Sequence, residues 1–443
     1  MSINPYKNYY SFKKWSFHFL KRPFIHNIIL ITSGTAIAQI ITIFFSPLIA
    51  RIYGANAYGV QGIFMSIANT MATIAAMTYP TAIVLPKHDA DALAIVRLSF
   101  YISILTSGIT FFIIFYFKSE ILYLLDSQNI SNYIYFVPVF MLISTASVIS
   151  NQWFIRKKFF SLTAKVAIFQ ASLVSIIKTC VGIVYPSAIV LIITNILSGM
   201  VNVLIAMLNF HKVPIDTPKN ELLPSNAWCL AKRHSDFLLY RAPQVLLNAI
   251  SQSLPVMLLA TFFGATAVGH YTLTLSVLAM PINLIGGSVS QVFYPRINEA
   301  IFRGEDVKSL IIKATLGLAL IGVLPFAVII FAGPSLFAFI FGSEWKTAGI
   351  YGQWLGVWLF FQYINKPAVT AIAPLQLQGG LLIYEIFSTG TKILALYIGY
   401  AVFGSDVTAI ALFSILGVIA YAWLISWVIF HSGKNIKVYS KNE

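Results

Sequence analysis

The chain has 443 residues, of which 58% are hydrophobic and only 10% charged, with a mean hydropathy of +0.82. Soluble domains carry about a quarter charged residues, so a water-facing surface is excluded and lipid is the expected solvent. The net charge of +15 is spread over short segments on one membrane side, which argues against a nucleic-acid partner, and the two cysteines, Cys180 and Cys229, supply neither a disulfide framework nor a metal cluster.

In chain order, Lys7, Lys13, Lys14, Lys21 and Arg22 precede the first apolar stretch. No small-residue cleavage site follows, so this stretch is expected to be a retained span. Twelve spans are predicted, at 27–50, 60–86, 98–117, 133–154, 162–184, 187–210, 237–262, 268–294, 310–331, 347–371, 378–400 and 407–430. Each suffices for a helix across about 30 Å of hydrocarbon. Pro186, between the fifth and sixth, and Pro367 and Pro374, near the end of the tenth, mark the least regular places.

Basic residues alternate with these spans. With a cytoplasmic N terminus, 20 fall on the inside, among them Arg156, Lys157, Lys158, Arg296 and Arg303, against Arg51, Lys118 and Lys346 outside. The positive-inside rule therefore predicts both termini in the cytoplasm. Outside loops are too short for a catalytic domain. The connection rich in proline and charge between the sixth and seventh spans divides them six and six. The expected domains are a cytoplasmic segment 1–26, a six-helix bundle 27–210, a cytoplasmic linker 211–236, a second six-helix bundle 237–430 and a cytoplasmic tail 431–443.

An internal repeat supports the division. Ile52-Tyr53-Gly54-Ala55-Asn56-Ala57-Tyr58-Gly59 corresponds to Phe262-Phe263-Gly264-Ala265-Thr266-Ala267-Val268-Gly269 at an offset of 210 residues, with glycine and alanine shared at four of eight positions. Copies separated by six spans have the same sidedness, which predicts parallel halves related by an axis along the membrane normal. The fold class is thus all-α, polytopic, with about 12 transmembrane helices in two six-helix bundles.

Ionisable groups within spans are costly and mark function. Lys178, Arg241, Lys366 and Lys392 are such cations, and Glu385 is the one carboxylate well inside a span; Lys165 and Lys313 lie close enough to span ends to snorkel. Arg241, Gln244, Asn248 and Gln252 fall within about 80° of one helical face. This polar stripe offers a guanidinium fork to phosphate and amides to sugar hydroxyls. Thr35, Gln39, Thr42 and Ser46 form a milder stripe in the first span, and Asn69, Thr73, Asn283 and Gln291 would extend the wet wall. Amides can equally bond helix to helix. Four cations against one carboxylate favour an anionic substrate. Glu385 is the candidate for proton or sodium coupling; pairing with a base on another helix is the alternative. Trp15, Tyr116, Tyr133, Trp153, Trp345, Trp358, Trp423 and Trp427 are expected to anchor spans or pack. No phosphate loop, dinucleotide glycine motif, nucleophile elbow or zinc helix motif is present, so neither an ATP-driven pump nor a common hydrolase is expected. No cofactor or metal is expected.

Several blocks resemble a known family. Ser33-Gly34-Thr35 with Ala38-Gln39, the stretches Arg51 to Gly59, Tyr79 to Pro86, Asp89 to Ser99 and Trp153 to Phe160, and above all Tyr240 to Pro255 and Gln291 to Arg296, look like bacterial polysaccharide exporters of the Wzx type. The resemblance implies the fold of the multidrug/oligosaccharidyl-lipid/polysaccharide (MOP) superfamily, similar to that of the MATE transporters, around a cavity opening alternately to either side. It further implies a flippase of the bacterial inner membrane. The substrate would be an undecaprenyl-pyrophosphate-linked oligosaccharide for O-antigen of lipopolysaccharide, capsule or a related polymer. Membrane lipids and a polysaccharide polymerase or chain-length regulator are the implied partners. Arg241 lies in the block where the family places a cavity base. A drug or organic-cation antiporter of the same superfamily, a membrane glycan polymerase or ligase, and a scaffold are the alternatives.

Overall fold

The computed structural model describes residues 23–86, 88–124, 130–210, 232, 237–282 and 286–439. These residues form no strand and twelve α-helices. The first five are α1 (Pro23–Ile74), α2 (Asp89–Leu124), α3 (Phe136–Arg156), α4 (Phe160–Val184) and α5 (Ala188–Phe210). A π turn, Phe237–Arg241, leads into α6 (Ala242–Pro281), followed by α7 (Gly287–Phe302), α8 (Val307–Phe341), α9 (Lys346–Ile364), the short α10 (Lys366–Ile372), α11 (Gln378–Ala401) and α12 (Asp406–Tyr439). Apart from Lys232, the expected linker 211–236 lies outside the described residues.

Nine of these helices are long and apolar enough to cross a membrane. α1 and α6 are each two crossings, bent at Gly54 (φ 68°, ψ 173°) and Gly264 (φ 81°, ψ −178°). α9 continued by α10 adds one more, which completes the twelve crossings of a polytopic membrane protein. The two bends occupy the same position in the two copies of the repeat. Their backbone lies in a region open essentially only to glycine.

α8 illustrates how a helix apolar all round is partitioned between protein and lipid. Ile311, Thr315, Leu318, Gly322 and Phe326 are buried at helical spacing, while Leu316, Leu320, Leu324 and Phe331 are exposed on the other flank. Such a continuous exposed apolar flank is what a bilayer covers. The core crosses between halves, with Val60 and Phe64 of α1 clustered with Leu259 and Val268 of α6.

The second span ends earlier than its hydropathy indicates. α1 stops at Ile74, Met77 and Thr78 take positive φ, and Tyr79–Val84 form a 3-10 turn with Pro80 near its start. The residue before a proline disfavours helix, so the apolar run 75–86 is not a continuation of the span. The aromatic residues mostly pack. Trp345 is fully buried, edge-on to Tyr58 and His270, and Trp423 stacks on Trp427 and Tyr384.

At the end of the bundle opposite Gly54, the buried Asp89 carboxylate binds Arg156 Nε at 3.0 Å and Lys157 Nζ at 2.5 Å. Arg156 Nη1 also donates to the carbonyls of Ile83 and Pro86. This network ties the start of α2 and the 3-10 turn to the end of α3. At the same end of the second half, Arg296 pairs with Glu305, whose carboxyl is held below its ordinary range, first by that hydrogen bond.

Candidate functional site

The two copies of the repeat meet and close one end of the molecule. A side chain at Gly59 would overlap the carbonyl of Ala265, and one at Gly269 would overlap that of Ala55. Because Gly59 and Gly269, like Ala55 and Ala265, differ by 210 positions, the contact is self-complementary about a pseudo-twofold axis. Further bonds join the halves at this end. Arg51 donates from Nη2 to Phe339 O (2.7 Å) and from Nε to Ile340 O (3.1 Å), and Trp345 donates to Ala50 O (3.2 Å). Glu344 Oε1 accepts from Ala55 N at 3.0 Å. Its carboxylate thereby caps the limb of α1 that restarts after Gly54. Deeper in, Thr70 Oγ1 meets Ser253 Oγ at 2.9 Å, and Ser66 bonds the Ser253 carbonyl. The sixteen residues from Gly54 to Thr70 correspond to roughly 24 Å of helix, so the seal is deep.

The stripe of α6 begins beneath that seal. Arg241, Gln244, Asn248 and Gln252 are all exposed, and Gln252 Nε2 donates to Asn248 Oδ1 at 2.7 Å. Asn69 of α1, also exposed, sits next in sequence to Thr70 as Gln252 does to Ser253, so the Thr70–Ser253 contact brings the two amides to one level. Arg241 closes the π turn that begins the span at Phe237 and leads into α6, one turn in from its start, with its guanidinium 5.5 Å from the Phe237 ring centre. On the first limb of α1, Thr35 and Thr42 are exposed, and Gln39 is half-buried with a buried Oε1 that has no hydrogen-bond partner. Asn283 and the side chain of Gln291 lie outside the described residues.

Lys178 of α4 is half-buried and donates to Asn195 Oδ1 of α5 at 3.0 Å. Asn195 also lines a cleft of about 390 Å³ between α1, α3, α4 and α5. The cleft's polar lining is Ser144, Ser147, Asn151, Gln170, Asn195, Ser198 and Asn202, and it contains no carboxylate. The sequence reading missed this group. Its signal was present as polar residues spaced along three otherwise apolar helices, but which of them converge depends on helix packing.

The remaining cations are separated from one another. Lys366 heads α10, its aliphatic stem close against Gly286. Lys392 of α11 is enclosed by aromatic rings, its ammonium 5.2 Å from Trp358, 5.8 Å from Phe413 and 5.4 Å from Tyr421. Three ring faces stabilise a cation without a counter-ion. Glu385 is exposed two turns away and forms no ion pair among the described residues. Lys165 and Lys313 are exposed, as snorkelling side chains would be.

Comparison with known proteins agrees with this architecture. The fold is similar to the inward-facing conformation of a multidrug resistance MATE family transporter of the MOP superfamily, at a TM-score of 0.71 and 12% identity, over 90% of this chain and 96% of that one. Similarity to an outward-facing conformation of such a transporter has a TM-score of 0.53 at 12% identity, over 94% and 97% of the chains. A MOP superfamily transporter from Pyrococcus furiosus, described by the reverse polarity of its binding pocket, matches at 0.58 and 13% identity, over 92% and 96%. Among curated proteins none matches the sequence. The family model of the polysaccharide biosynthesis proteins matches residues 31–349. With its twelve crossings and repeated halves, the chain therefore belongs to the polysaccharide biosynthesis protein family and has the fold of the MOP superfamily transporters.

Proposed function

We propose that the protein is a flippase that moves undecaprenyl-pyrophosphate-linked oligosaccharide repeat units, for O-antigen, capsule or a related polysaccharide, across the bacterial inner membrane by alternating access. The observation that carries this reading, beside family membership, is the exposed α6 face on which Arg241, Gln244, Asn248 and Gln252 lie beneath a sealed end. A guanidinium fork suits a pyrophosphate and the amides suit glycan hydroxyls, while the polyprenyl chain stays in lipid. With both termini cytoplasmic, the sealed end faces the periplasm and the stripe opens inward. The higher TM-score with an inward-facing relative, 0.71 against 0.53, supports that state.

Residues 27–210 and 237–430 are the two bundles, joined by the cytoplasmic linker 211–236. As they rock, the self-complementary contact of Gly59 and Gly269 parts, which releases the glycan outside for a polysaccharide polymerase. Lys178, Lys366 and Lys392 add positive potential to the two halves and Gln39 and Asn69 add amides. A proton or sodium gradient would act through Glu385; consumption of the product outside is the other driving force consistent with the absence of an ATP motif.

A drug or organic-cation antiporter is the second reading, favoured by the likeness to multidrug resistance MATE transporters. The cleft of the first half opposes it, since no carboxylate lines it. Proteoliposomes separate the two. Protein-dependent leaflet exchange of a labelled lipid-linked oligosaccharide, without uptake of an organic cation, is the expected result; cation uptake against a proton gradient without exchange would replace the flippase by the antiporter.

A further inference from the structure

We propose that the cleft between α1, α3, α4 and α5 is a sugar subsite that takes one uncharged pyranose ring of the glycan, apart from the pyrophosphate-binding face of α6; the assignment of the ligand as glycan rests on the flippase reading. The cleft's hydrogen-bonding capacity decides its chemistry. Part of its donor set is engaged internally. Gln170 Nε2 donates to both the carbonyl and the hydroxyl of Ser198, Ser147 Oγ donates to Gly199 O, and Asn202 Nδ2 donates to Asn151 Oδ1. What is left over is mixed, the amide nitrogens of Asn151 and Asn195 and the Ser144 hydroxyl as donors and one deeply buried acceptor, which a ligand must match with both kinds of group. Asn202 is more than nine-tenths buried, lines the cleft, and its Oδ1 has no partner.

A buried carbonyl oxygen without a donor is costly, and a ligand rich in hydroxyl donors removes that cost. An anion brings only acceptors and would face this oxygen unfavourably. An organic cation would find no carboxylate, and the ammonium of Lys178 sits on Asn195 at the rim. A neutral polyol is the class that fits. Met65, Phe140 and Ile143 give the cleft an apolar wall for the C–H face of a ring. At ~30 Å³ per water, about 390 Å³ corresponds to roughly a dozen waters, room for one monosaccharide and its solvent.

The test uses the full chain in nanodiscs with Cys180→Ser and Cys229→Ser, and Ser144→Cys as a reporter at the cleft. Maleimide labelling of the new thiol is timed with methyl glucoside, methyl N-acetylglucosaminide, methyl glucuronide or inorganic pyrophosphate. Near saturation the neutral glycosides are expected to slow labelling about fivefold or more, as occupancy requires, with glucuronide and pyrophosphate without effect. Adding Asn202→Leu should abolish the protection; if that variant fails to fold, Met65→Trp, which fills the cleft from its apolar wall, replaces it. Absence of protection by both neutral glycosides, equal protection by glucuronide, or protection that survives the cleft variant overturns the inference. Leaflet exchange is read in parallel. Protection without exchange keeps the subsite and rejects flipping, whereas exchange without protection rejects the subsite and keeps flipping.

Discussion

Asp89 shows how much one residue can hold in a membrane protein with few charges. Its carboxylate is buried against two cations, and Arg156 simultaneously satisfies two carbonyls of the 3-10 turn region. Asp89→Ala would remove the carboxylate shared by two largely buried cations. The expected loss is about 3–5 kcal/mol, read as a fall in detergent melting temperature, and an unchanged melt would contradict the network. The half-buried pair Arg296–Glu305 should behave differently. Because the folded carboxyl is held low by Arg296, the pair stabilises above the ordinary carboxylate range and its contribution is lost as pH falls through the folded value. Native protein and Glu305→Gln should therefore differ slightly at neutral pH and converge in acid. A difference that grows on acidification would have the wrong sign. The sequence made the cations visible by their rarity within spans, but not their surroundings. Lys392 lies seven residues from Glu385 and yet is enclosed by Trp358, Phe413 and Tyr421, because rings from α9 and α12 decide its environment.

At the scale of elements, α1 and α6 carry the architecture. Their glycine bends have the same conformation in both halves, one that an L side chain adopts only under strain. Gly54→Ala is expected to cost about 1–3 kcal/mol. Gly108→Ala, within α2 where nothing lies near an added methyl, should gain roughly 0.5–1 kcal/mol. Thermal melts of the two variants give the comparison, and equal effects would remove the bend as the cause. The repeat was legible because both bends need glycine and both close approaches need small residues, so four of eight positions coincide. The end of the second span was not, since residues 75–86 are as apolar as a span and only Pro80 signals the change to a 3-10 turn. The stripe on α6 was legible from periodicity within one helix. The cleft of the first half was not, because Asn151, Gln170, Asn195 and Asn202 come from three helices whose facing surfaces no local period reveals.

At the scale of the whole molecule, closure at the Gly54 end must open if the two halves alternate. Thr70 and Ser253 approach to 2.9 Å across the halves, which suits side chains that a disulfide could replace. In a background without Cys180 and Cys229, Thr70→Cys with Ser253→Cys should form a crosslink under oxidation, stop transport and regain it with reductant. Full transport by the crosslinked protein would contradict alternation between these limbs. Arg241 connects the scales, since under the proposed function its position before α6 would put a guanidinium fork at the mouth of the stripe. The most direct test is leaflet exchange of a labelled undecaprenyl-pyrophosphate oligosaccharide in proteoliposomes, comparing native protein, Arg241→Lys and Arg241→Ala at matched folded levels. Loss of a charge-assisted hydrogen bond, about 1.5–3 kcal/mol, corresponds to a fall of roughly tenfold to a hundredfold for Arg241→Ala, with Arg241→Lys between it and the native protein. Equal exchange by all three would contradict passage of the pyrophosphate along this face.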